Sequence, residues 1–309
     1  MLVNNPPVAL TGQLWMLGTA AYPLYLFHAP GGAAIVEGGT GAMAGLLGQQ
    51  IESLGIARAA VTQLVITHAH PDHVMAVPRL REVFPSLSVV ASQPAAKTLA
   101  AEKAIAAFAQ VDEALTASLL AAGAIREEHR PQPMAPKPIA VDRVVREGDT
   151  IAVGDIALEV LETPGHSECS LSLYEPRSKT LLISDATGYF LPEHHTWWPN
   201  YFAGYGAYLR SIERLASLEA EILCLSHNAA VCGSEEVRGY FADALAATRA
   251  YHDRIVAEAR AGSSVRQIAE QLGAEIYRHT QLMPLDFFQK NCGFLVKQSL
   301  RHEGIEAAK

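Results

Sequence analysis

The 309-residue sequence has only four cysteines, and none of them lies in a CxxC pair. Cys169, Cys224, Cys232 and Cys292 are isolated along the chain. Two of them sit among apolar residues, as reduced thiols used for packing often do. We therefore expect neither a disulfide-stapled fold nor a cysteine-based metal site.

Basic charge and long apolar segments are also scarce. Lysines and arginines number 24 against 32 aspartates and glutamates, the net charge is -8, and the two signs are interspersed. This leaves no basic stripe for binding nucleic acid. No window reaches the roughly 18 uncharged apolar residues of a spanning helix, and the start, MLVNNPPVAL, lacks a basic segment followed by an apolar one. We expect a soluble, cytoplasmic protein without nucleic-acid or membrane partners.

Hydrophobic residues fill half of the positions, and they are arranged as strands alternating with helices. VTQLVIT (61–67) is typical of a buried strand, VPRLREVF of a short helix, and LSVVAS of the next strand. Further strand patterns precede this group in residues 13–37 and follow it up to AEILCLSH. The alternation predicts a layered α/β fold.

Two segments have helical patterns only. Residues 93–128 are alanine-rich with apolar residues at helical spacing, which predicts a helical insertion. After Gly233 the chain shows apolar stripes, and a serine N-cap candidate opens SSVRQIAEQLG. We predict a main domain of residues 1–233 and an all-helical cap of residues 234–309.

The stretch THAHPDH concentrates metal-ligand side chains directly after a predicted strand. His68, His70, Asp72 and His73 fall on one loop, where alternate residues can converge on a point. Zinc and similar metals take nitrogen and oxygen ligands of this kind. The loop predicts metal binding, although a single local motif could also be a polar loop with exposed histidines.

Three further residues of ligand type stand at the ends of predicted strands. They are His166 in TPGHSE, Asp185 in LLISDA and His227 in LCLSHN. Each one alone is more typical of an ordinary polar residue than of a ligand. In this order after HxHxDH, however, the set resembles the metallo-β-lactamase superfamily of hydrolases, with the resemblance covering residues 10–230.

The resemblance implies an αββα sandwich with a dinuclear metal site on its edge. It places the ligands of one ion at His68, His70 and His166, those of the other at Asp72, His73 and His227, and a bridging ligand at Asp185. Two divalent ions held in this way, whether zinc, iron or manganese, lower the pKa of a water from about 15.7 toward about 7 and polarise a carbonyl. A metal-activated hydroxide, with Asp72 among the catalytic residues, is the implied nucleophile.

Within the superfamily, the pattern is similar to the branches that hydrolyse activated acyl groups. True β-lactamases usually carry a cysteine where Asp185 stands and lack a histidine corresponding to His73. The order and spacing of AIVEGG, VITHAHPDH and GHSECSLSLYE look most like the quinolone-signal response branch, a 2-aminobenzoylacetyl-CoA thioesterase. The resemblance implies a thioesterase-like esterase. A lactonase or glyoxalase II-like hydrolase, and a metal-binding regulatory protein with weak activity, are the alternatives.

Several residues are candidates for contacting a small-molecule acyl substrate, which could be a CoA thioester. Tyr189 could donate to an oxyanion, or it could be a packed aromatic. Met75 stands where relatives often have glycine, so it could narrow a pocket. The remaining candidates are aromatic or imidazole side chains that could equally serve packing or surface roles. They are His194, His195 and Trp197, in residues 191–202, which we predict to form a loop between a strand and a helix, and Phe287 and Phe288. Lys290, Lys297 and Arg301 could meet phosphates or form a solvated face. A homodimer is possible.

Overall fold

The structure is a computed structural model that describes residues 1–133 and 135–306. The strands of the described chain are β1 (Leu2–Val3), β2 (Val8–Ala9), β3 (Leu14–Gly18), β4 (Pro23–Ala29), β5 (Gly32–Val36), β6 (Val61–Val65), β7 (Ser88–Ser92), β8 (Arg143–Val145), β9 (Thr150–Val153), β10 (Ile156–Glu162), β11 (Leu171–Glu175), β12 (Thr180–Ser184), β13 (Tyr189–Leu191), β14 (Thr196–Trp198), β15 (Ile222–Leu225) and β16 (Ala230–Cys232). The α-helices of the same residues are α1 (Met43–Ser53), α2 (Pro71–Val74), α3 (Val77–Val83), α4 (Gln93–Leu99), α5 (Glu102–Ala121), α6 (Tyr205–Ala216), α7 (Ser234–Arg260), α8 (Val265–His279) and α9 (Leu285–Glu303).

The chain divides into two compact units. The first unit contains Met1–Glu162, Cys169–Ser184 and Glu221–Cys232, and the second contains Thr163–Glu168, Asp185–Ala220 and the chain from Gly233 onward. The second unit thus combines the C-terminal helices with two internal segments. The division of the sequence into domains 1–233 and 234–309 stays a prediction.

Two seven-stranded sheets form the first unit. One has the strand order β1-β16-β15-β12-β11-β10-β9, and the other has the order β2-β3-β4-β5-β6-β7-β8. A single core cluster takes residues from both sheets, including Tyr25 and Val65 from the second and Val160, Leu173 and Cys224 from the first. The alternation of apolar residues in strands such as β9, whose burial alternates along TIAV, supplies these inward side chains.

Each sheet contains strands that run parallel to one another. β5, β6, β7 and β8 pair in parallel in one sheet, and β12 pairs in parallel with β15 in the other. Strand β12 is buried along its whole length, as expected where both faces of a sheet are covered, whereas β6 has two half-buried polar residues, Thr62 and Gln63. Loops that leave the carboxyl ends of such strands are the usual place for functional side chains.

The predicted helical segment of residues 93–128 contains helices in the structure. Ser92 caps α4 by accepting a hydrogen bond from the Ala95 amide. Helix α5 follows and buries Ile105, Leu115 and Leu119 on one side. Among the described residues, one helix, α5, is long and apolar enough to cross a membrane by length and composition alone. Core helices of folded domains can have the same length and composition.

The second unit contains a short hairpin and the helices α6 to α9. Residues 191–202 were expected to form a loop between a strand and a helix, but residues 196–198 form β14, which pairs with β13. Thr196, Trp197 and Trp198 are β-prone residues, but the pairing with β13 is what makes this segment a strand. Helix α8 begins at the predicted serine cap, since Ser264 and Gln267 form a reciprocal capping box. The predicted mixed α/β sandwich with a helical C-terminal region is confirmed.

Candidate metal centre

The loop after β6 brings the first two histidines of the HAHPDH motif together. His68 is fully buried, and its Nε2 lies 3.1 Å from Nδ1 of His70. Two ligands of a tetrahedral zinc ion at about 2.05 Å from the metal are separated by roughly 3.3 Å. The two ring nitrogens therefore lie at the separation that one shared ion requires.

Asp72, His73 and His227 form a second group in the first unit. Helix α2 begins with Pro71, which sets the helical backbone conformation and places Asp72 and His73 in its first turn. Nε2 of His73 and Nε2 of His227 lie 3.4 and 3.6 Å from the same carboxylate oxygen of Asp72. Their ligand atoms all fall within 4.8 Å of one another, so this group could hold a metal ion.

Glu37 orients His73 from the end of β5. Its carboxylate accepts a hydrogen bond from Nδ1 of His73 at 2.8 Å and another from the Thr67 hydroxyl at 2.9 Å. The backbone amide of Gly38 donates to the carbonyl of His73 at 2.9 Å. Glu37 is 4% exposed and has a φ of 80°, a strained conformation for a residue with a side chain. The strained backbone conformation of Glu37 thus occurs at the residue whose carboxylate orients His73.

The segment after β3 fixes His227 in a similar way. Nδ1 of His227 donates to the carbonyl of Ala21 at 3.0 Å, and the Asn228 amide donates to the carbonyl of Ala20 at 2.8 Å. The buried hydroxyl of Tyr25 donates to the carbonyl of Leu225 at 2.6 Å. Burial raises the pKa of Tyr25 well above its usual value, so the hydroxyl stays protonated as a donor.

The second unit carries His166 and Asp185. Nε2 of His166 lies 3.3 Å from a carboxylate oxygen of Asp185, and Nδ1 donates to the carbonyl of Asn200 at 2.8 Å. Gly165, which precedes the histidine, has a φ of 132°. A Cβ at that position would lie only 2.3 Å from the Cα of Tyr208 in α6. Only glycine lets the backbone approach α6 closely enough to place His166 here.

The hydrogen bonds around three of the imidazoles test whether these residues suit a metal. In His166 and His227 the acceptor of Nδ1 is a backbone carbonyl, and in His73 it is a carboxylate, so Nδ1 carries the proton in each ring. In the neutral ring, Nε2 is then a lone pair that faces a carboxylate oxygen at 3.3–3.6 Å. Such a contact becomes favourable when a metal cation lies between the two acceptors or when the ring takes up a second proton. Carboxylate and carbonyl acceptors on the other ring nitrogen are also the usual surroundings of metal-binding histidines. The donor set therefore fits divalent ions such as zinc.

Tyr189, the tyrosine predicted as an oxyanion donor, follows Asp185 closely in the sequence, and both residues belong to the second unit. Tyr189 is 8% exposed, and its strand β13 pairs it with Trp198. Between Asp185 and Tyr189, the Thr187 hydroxyl is 2.8 Å from the Tyr240 hydroxyl of α7. Burial raises the pKa of Tyr240 to about 12. Helix α7 is thus tied to the segment that follows Asp185.

The three aromatic candidates of residues 194–197 have different surroundings. His194 is exposed, with its ring centroid 4.4 Å from that of His279. His195 is exposed, and its Nε2 is 3.0 Å from a carboxylate oxygen of Asp243. Trp197 is 3% exposed and packs within the second unit. Two of these side chains lie at the surface, whereas Trp197 is part of a core.

The remaining substrate candidates also divide between packed and accessible positions. Met75, at the end of α2, is half-buried. Phe288 is 3% exposed, with its ring centroid 5.3 Å from that of Trp198 and 6.1 Å from that of Tyr277. Phe287 is half-buried and contacts Phe288 edge to face. Phe288 is therefore part of the core of the second unit, and Phe287 is the more accessible of the pair.

The basic residues of α9 lie on its exposed side. Lys290 forms an ion pair with Asp286 at 2.8 Å. The ammonium group of Lys297 lies 5.9 Å from the ring centroid of Phe294, which is half exposed. Arg301 is exposed in the last turn. These positions agree with the solvated-face interpretation, and a role in binding phosphates stays a prediction.

Two carboxylates around the motif were not predicted from the sequence. Glu37 follows the apolar run AAIV, and a charged residue at the end of a buried strand was the available signal. Asp112, in α5, is 7% exposed and accepts a hydrogen bond from the Gly41 amide at 2.7 Å. Burial raises the pKa of Asp112 to about 6, with a smaller contribution from Asp72, although the hydrogen bond from Gly41 lowers it. An acidic residue in a helix gave no sequence signal for this contact.

Comparison with known proteins gives one family match and many similar folds. A family model described as the metallo-beta-lactamase superfamily matches residues 22–227. An uncharacterized protein of Aquifex aeolicus (strain VF5) is 31% identical over 125 residues, which are 40% of this chain and 48% of that protein. The matched region thus spans about half the length of that relative.

Solved structures support the same fold. A metallo-beta-lactamase family protein of Thermus thermophilus has a TM-score of 0.64 and 23% identity, covering 96% of this chain and 95% of its own. The Cronobacter sakazakii metallo-beta-lactamase with a HARLDQ motif has a TM-score of 0.58 and 20% identity, covering 82% and 98%. MEM-A1, a subclass B3 metallo-beta-lactamase from a soil metagenome library, has a TM-score of 0.59 and 19% identity, covering 83% and 98%. At these identities the likeness is one of fold.

Proposed function

The chain belongs to the metallo-beta-lactamase superfamily, and from this premise we propose that it is a dinuclear metal-dependent hydrolase of activated acyl compounds, most specifically a thioesterase-like esterase. The family is one of hydrolases that normally bind divalent metals, usually two zinc ions. The observation that carries the proposal is the set of imidazole Nε2 atoms that face carboxylate oxygens at 3.3–3.6 Å. A divalent cation fits between such groups, and the family is one whose members bind such cations.

The proposed ligand set has seven residues. Their assignment rests on the motif order and on the family, by which Asp185 would be the bridging ligand. The full set is His68, His70, Asp72, His73, His166, Asp185 and His227. Two divalent ions so held would lower the pKa of a bound water and polarise the carbonyl that it attacks.

The protein's own groups would keep the ligands ready for this chemistry. Glu37 accepts a hydrogen bond from Nδ1 of His73, and the carbonyls of Ala21 and Asn200 accept hydrogen bonds from Nδ1 of His227 and of His166. Each ring is thereby fixed in one tautomer and one orientation before substrate binds. Preorganised ligands lose little freedom when charge develops in the transition state.

We propose a thioester substrate on two grounds, which are the residues at the candidate ligand positions and the low demand of a thiolate leaving group for protonation. By the resemblance to the family, Asp185 stands at a position where true β-lactamases usually have a cysteine. A thiolate leaves with little need of protonation, so a thioesterase works without a dedicated general acid. The resemblance to the quinolone-signal response branch, a CoA thioesterase, supports the same class. Tyr189 is proposed as a donor to the oxyanion, and the substrate is proposed to be a small acyl compound in the cytoplasm.

The experiment is metal analysis followed by a substrate panel. Protein purified without chelator should contain close to two divalent ions per chain. It should then be assayed against acyl-CoA thioesters, lactones, S-lactoylglutathione, a β-lactam and a phosphodiester. Thioesters should give the highest kcat/KM, and a chelator should abolish the rate until metal is restored.

A matched pair of variants sharpens the result. Asp185→Ala should lose at least one ion and most of the activity. Asp243→Ala, which removes a carboxylate paired with the exposed His195, should keep both ions and the full activity. Faster turnover of lactones or S-lactoylglutathione would replace the thioesterase with the corresponding alternative. Protein that holds two ions yet hydrolyses no member of the panel would favour a regulatory metal-binding role.

A further inference from the structure

Asp112 connects the inserted helix α5 to the segment that precedes α1. Its Oδ1 accepts a hydrogen bond from the Gly41 amide at 2.7 Å, and the residue is 7% exposed. A Cβ on Gly41 would lie 2.5 Å from Oδ2 of Asp112 and 3.3 Å from Cγ of Pro131. The carboxylate thus lies directly against a backbone that has no room for a side chain.

The backbone that Asp112 contacts is the same short segment that holds the metal-ligand motif. We define residues 37–41, EGGTG, as the clamp segment. Its Glu37 carboxylate accepts from Nδ1 of His73, and its Gly38 amide donates to the carbonyl of His73 at 2.9 Å. The Ala76 amide donates to the carbonyl of Gly39 at 3.2 Å. Three contacts therefore join the clamp segment to α2 and its C-terminal end.

Close packing makes this segment a stiff connection. A Cβ on Gly38 would lie 2.4 Å from the carbonyl oxygen of His73, so the two backbones are already at their closest approach. A shift of the segment by a fraction of an ångström would alter the position of Nε2 of His73, since the ring is held through Nδ1 and through its own carbonyl. Asp112 is the buried charged group that holds the other end of the segment.

We propose that Asp112 is a positioning residue for the metal centre: through the Gly41 amide it fixes the clamp segment, and the clamp segment fixes His73 in the orientation for binding the second ion. The inference rests on the proposed metal-dependent function. It gives the inserted helix α5 a role in the site, because the helix supplies the carboxylate. Asp112 itself contacts the backbone of the clamp segment and is not proposed to contact substrate.

The test compares Asp112→Ala and Asp112→Asn with Leu119→Ala in the full-length chain. Leu119 is a fully buried residue of the same helix, so its truncation weakens the packing of α5 without touching the clamp segment. The first measurement is amide hydrogen exchange of Gly38 in metal-free protein. The second is the affinity for Zn²⁺ of the more weakly bound ion, measured by competition with a chelator.

Asp112→Ala should speed the exchange of the Gly38 amide at least tenfold and weaken the second zinc ion at least tenfold relative to Leu119→Ala. Asp112→Asn retains an acceptor oxygen and should give smaller changes of the same sign, which can be measured even where the alanine variant fails to fold. Unchanged Gly38 exchange in the Asp112 variants, or equal changes in Leu119→Ala, would overturn the inference. Because the exchange is measured without metal, a failure of the proposed hydrolase activity would be distinguishable from a failure of this positioning role.

Discussion

Replacing Glu37 with glutamine tests how strongly the surroundings of His73 contribute to the metal centre. The substitution keeps the size of the side chain and removes the negative charge of the carboxylate, whose Oε2 lies 2.8 Å from Nδ1 of His73 and accepts its hydrogen bond. It also changes the acceptor of the Thr67 hydroxyl. Because Glu37 is 4% exposed, water does not replace the lost interaction. We expect a less basic and less well oriented imidazole.

The size of the effect follows from the burial and the charge. A hydrogen bond to a charged group contributes about 1.5–3 kcal/mol, and each 1.4 kcal/mol is a factor of ten in affinity. This range corresponds to roughly a 10- to 150-fold loss of affinity, which overlaps the loss of about 10- to 100-fold that is general on removing the partner of a metal-binding histidine. The loss should concern the ion that His73 binds and should leave the other ion nearly unaffected.

The assay is a competition titration of metal-free protein with zinc and a chromophoric chelator. Glu175→Gln is a matched control, since Glu175 is 5% exposed and accepts hydrogen bonds from the backbone and hydroxyl of Ser178 in a turn with no histidine. Both variants should lose some stability, and only Glu37→Gln should weaken metal binding. Equal zinc affinity in wild type and Glu37→Gln, or an equal loss in Glu175→Gln, would refute the reasoning.

Three further predictions concern the packing and the charge of single positions. Gly165→Ala should lower the free energy of unfolding by at least about 2 kcal/mol in urea denaturation, because the added Cβ would meet the Cα of Tyr208 at 2.3 Å; a neutral result would show that α6 can move away. Phe288→Ser should lower Tm strongly, since truncating a buried phenylalanine lowers the free energy of unfolding by about 3–5 kcal/mol. Phe287→Ser should lower the stability less, because Phe287 is half-buried. If the Phe287 side chain contacts substrate, this variant should also raise KM for an aromatic acyl thioester. Equal KM changes for aromatic and small substrates would make both residues purely structural. In metal-free protein, Asp112→Asn should gain stability relative to wild type as the pH rises from about 4 to about 6, by up to about 3 kcal/mol. The reason is that burial raises the pKa of the Asp112 carboxyl in the folded state from 3.8 to about 6, so that its ionisation opposes folding. Denaturation curves in which the difference between the two proteins does not change with pH would contradict this.

The amino-acid sequence determined the fold class and the candidate ligands. Strands such as β12 and β15 carry apolar runs whose ends are marked by polar residues, and this local pattern can be recognised in the sequence alone. The HAHPDH motif places four ligand-type residues within six positions, so its chemistry needs no long-range information. The change to helices after Gly233 is likewise a local periodicity, and the structure has α7, α8 and α9 there.

The sequence was less informative for residues 191–202 and for the substrate candidates. Aromatic and histidine residues are compatible with a loop, a strand or a core, and packing decides between them. Thr196–Trp198 became a strand by pairing with β13, and Phe288 became core by packing against Trp198. Neither contact is specified by the residues next to it in the chain.

Only the tertiary structure decided which groups hold the ligands in place. Glu37 lies 36 residues from His73, and the Ala21 carbonyl lies 206 residues from His227. Asp112 lies 71 residues from Gly41. Periodicity and turn chemistry act over a few residues, so they specify strands, helices and short motifs. Hydrogen bonds between distant segments depend on how the sheets and helices pack. For that reason the sequence indicated the candidate ligands, whereas only the tertiary structure determined the groups that hydrogen-bond to them.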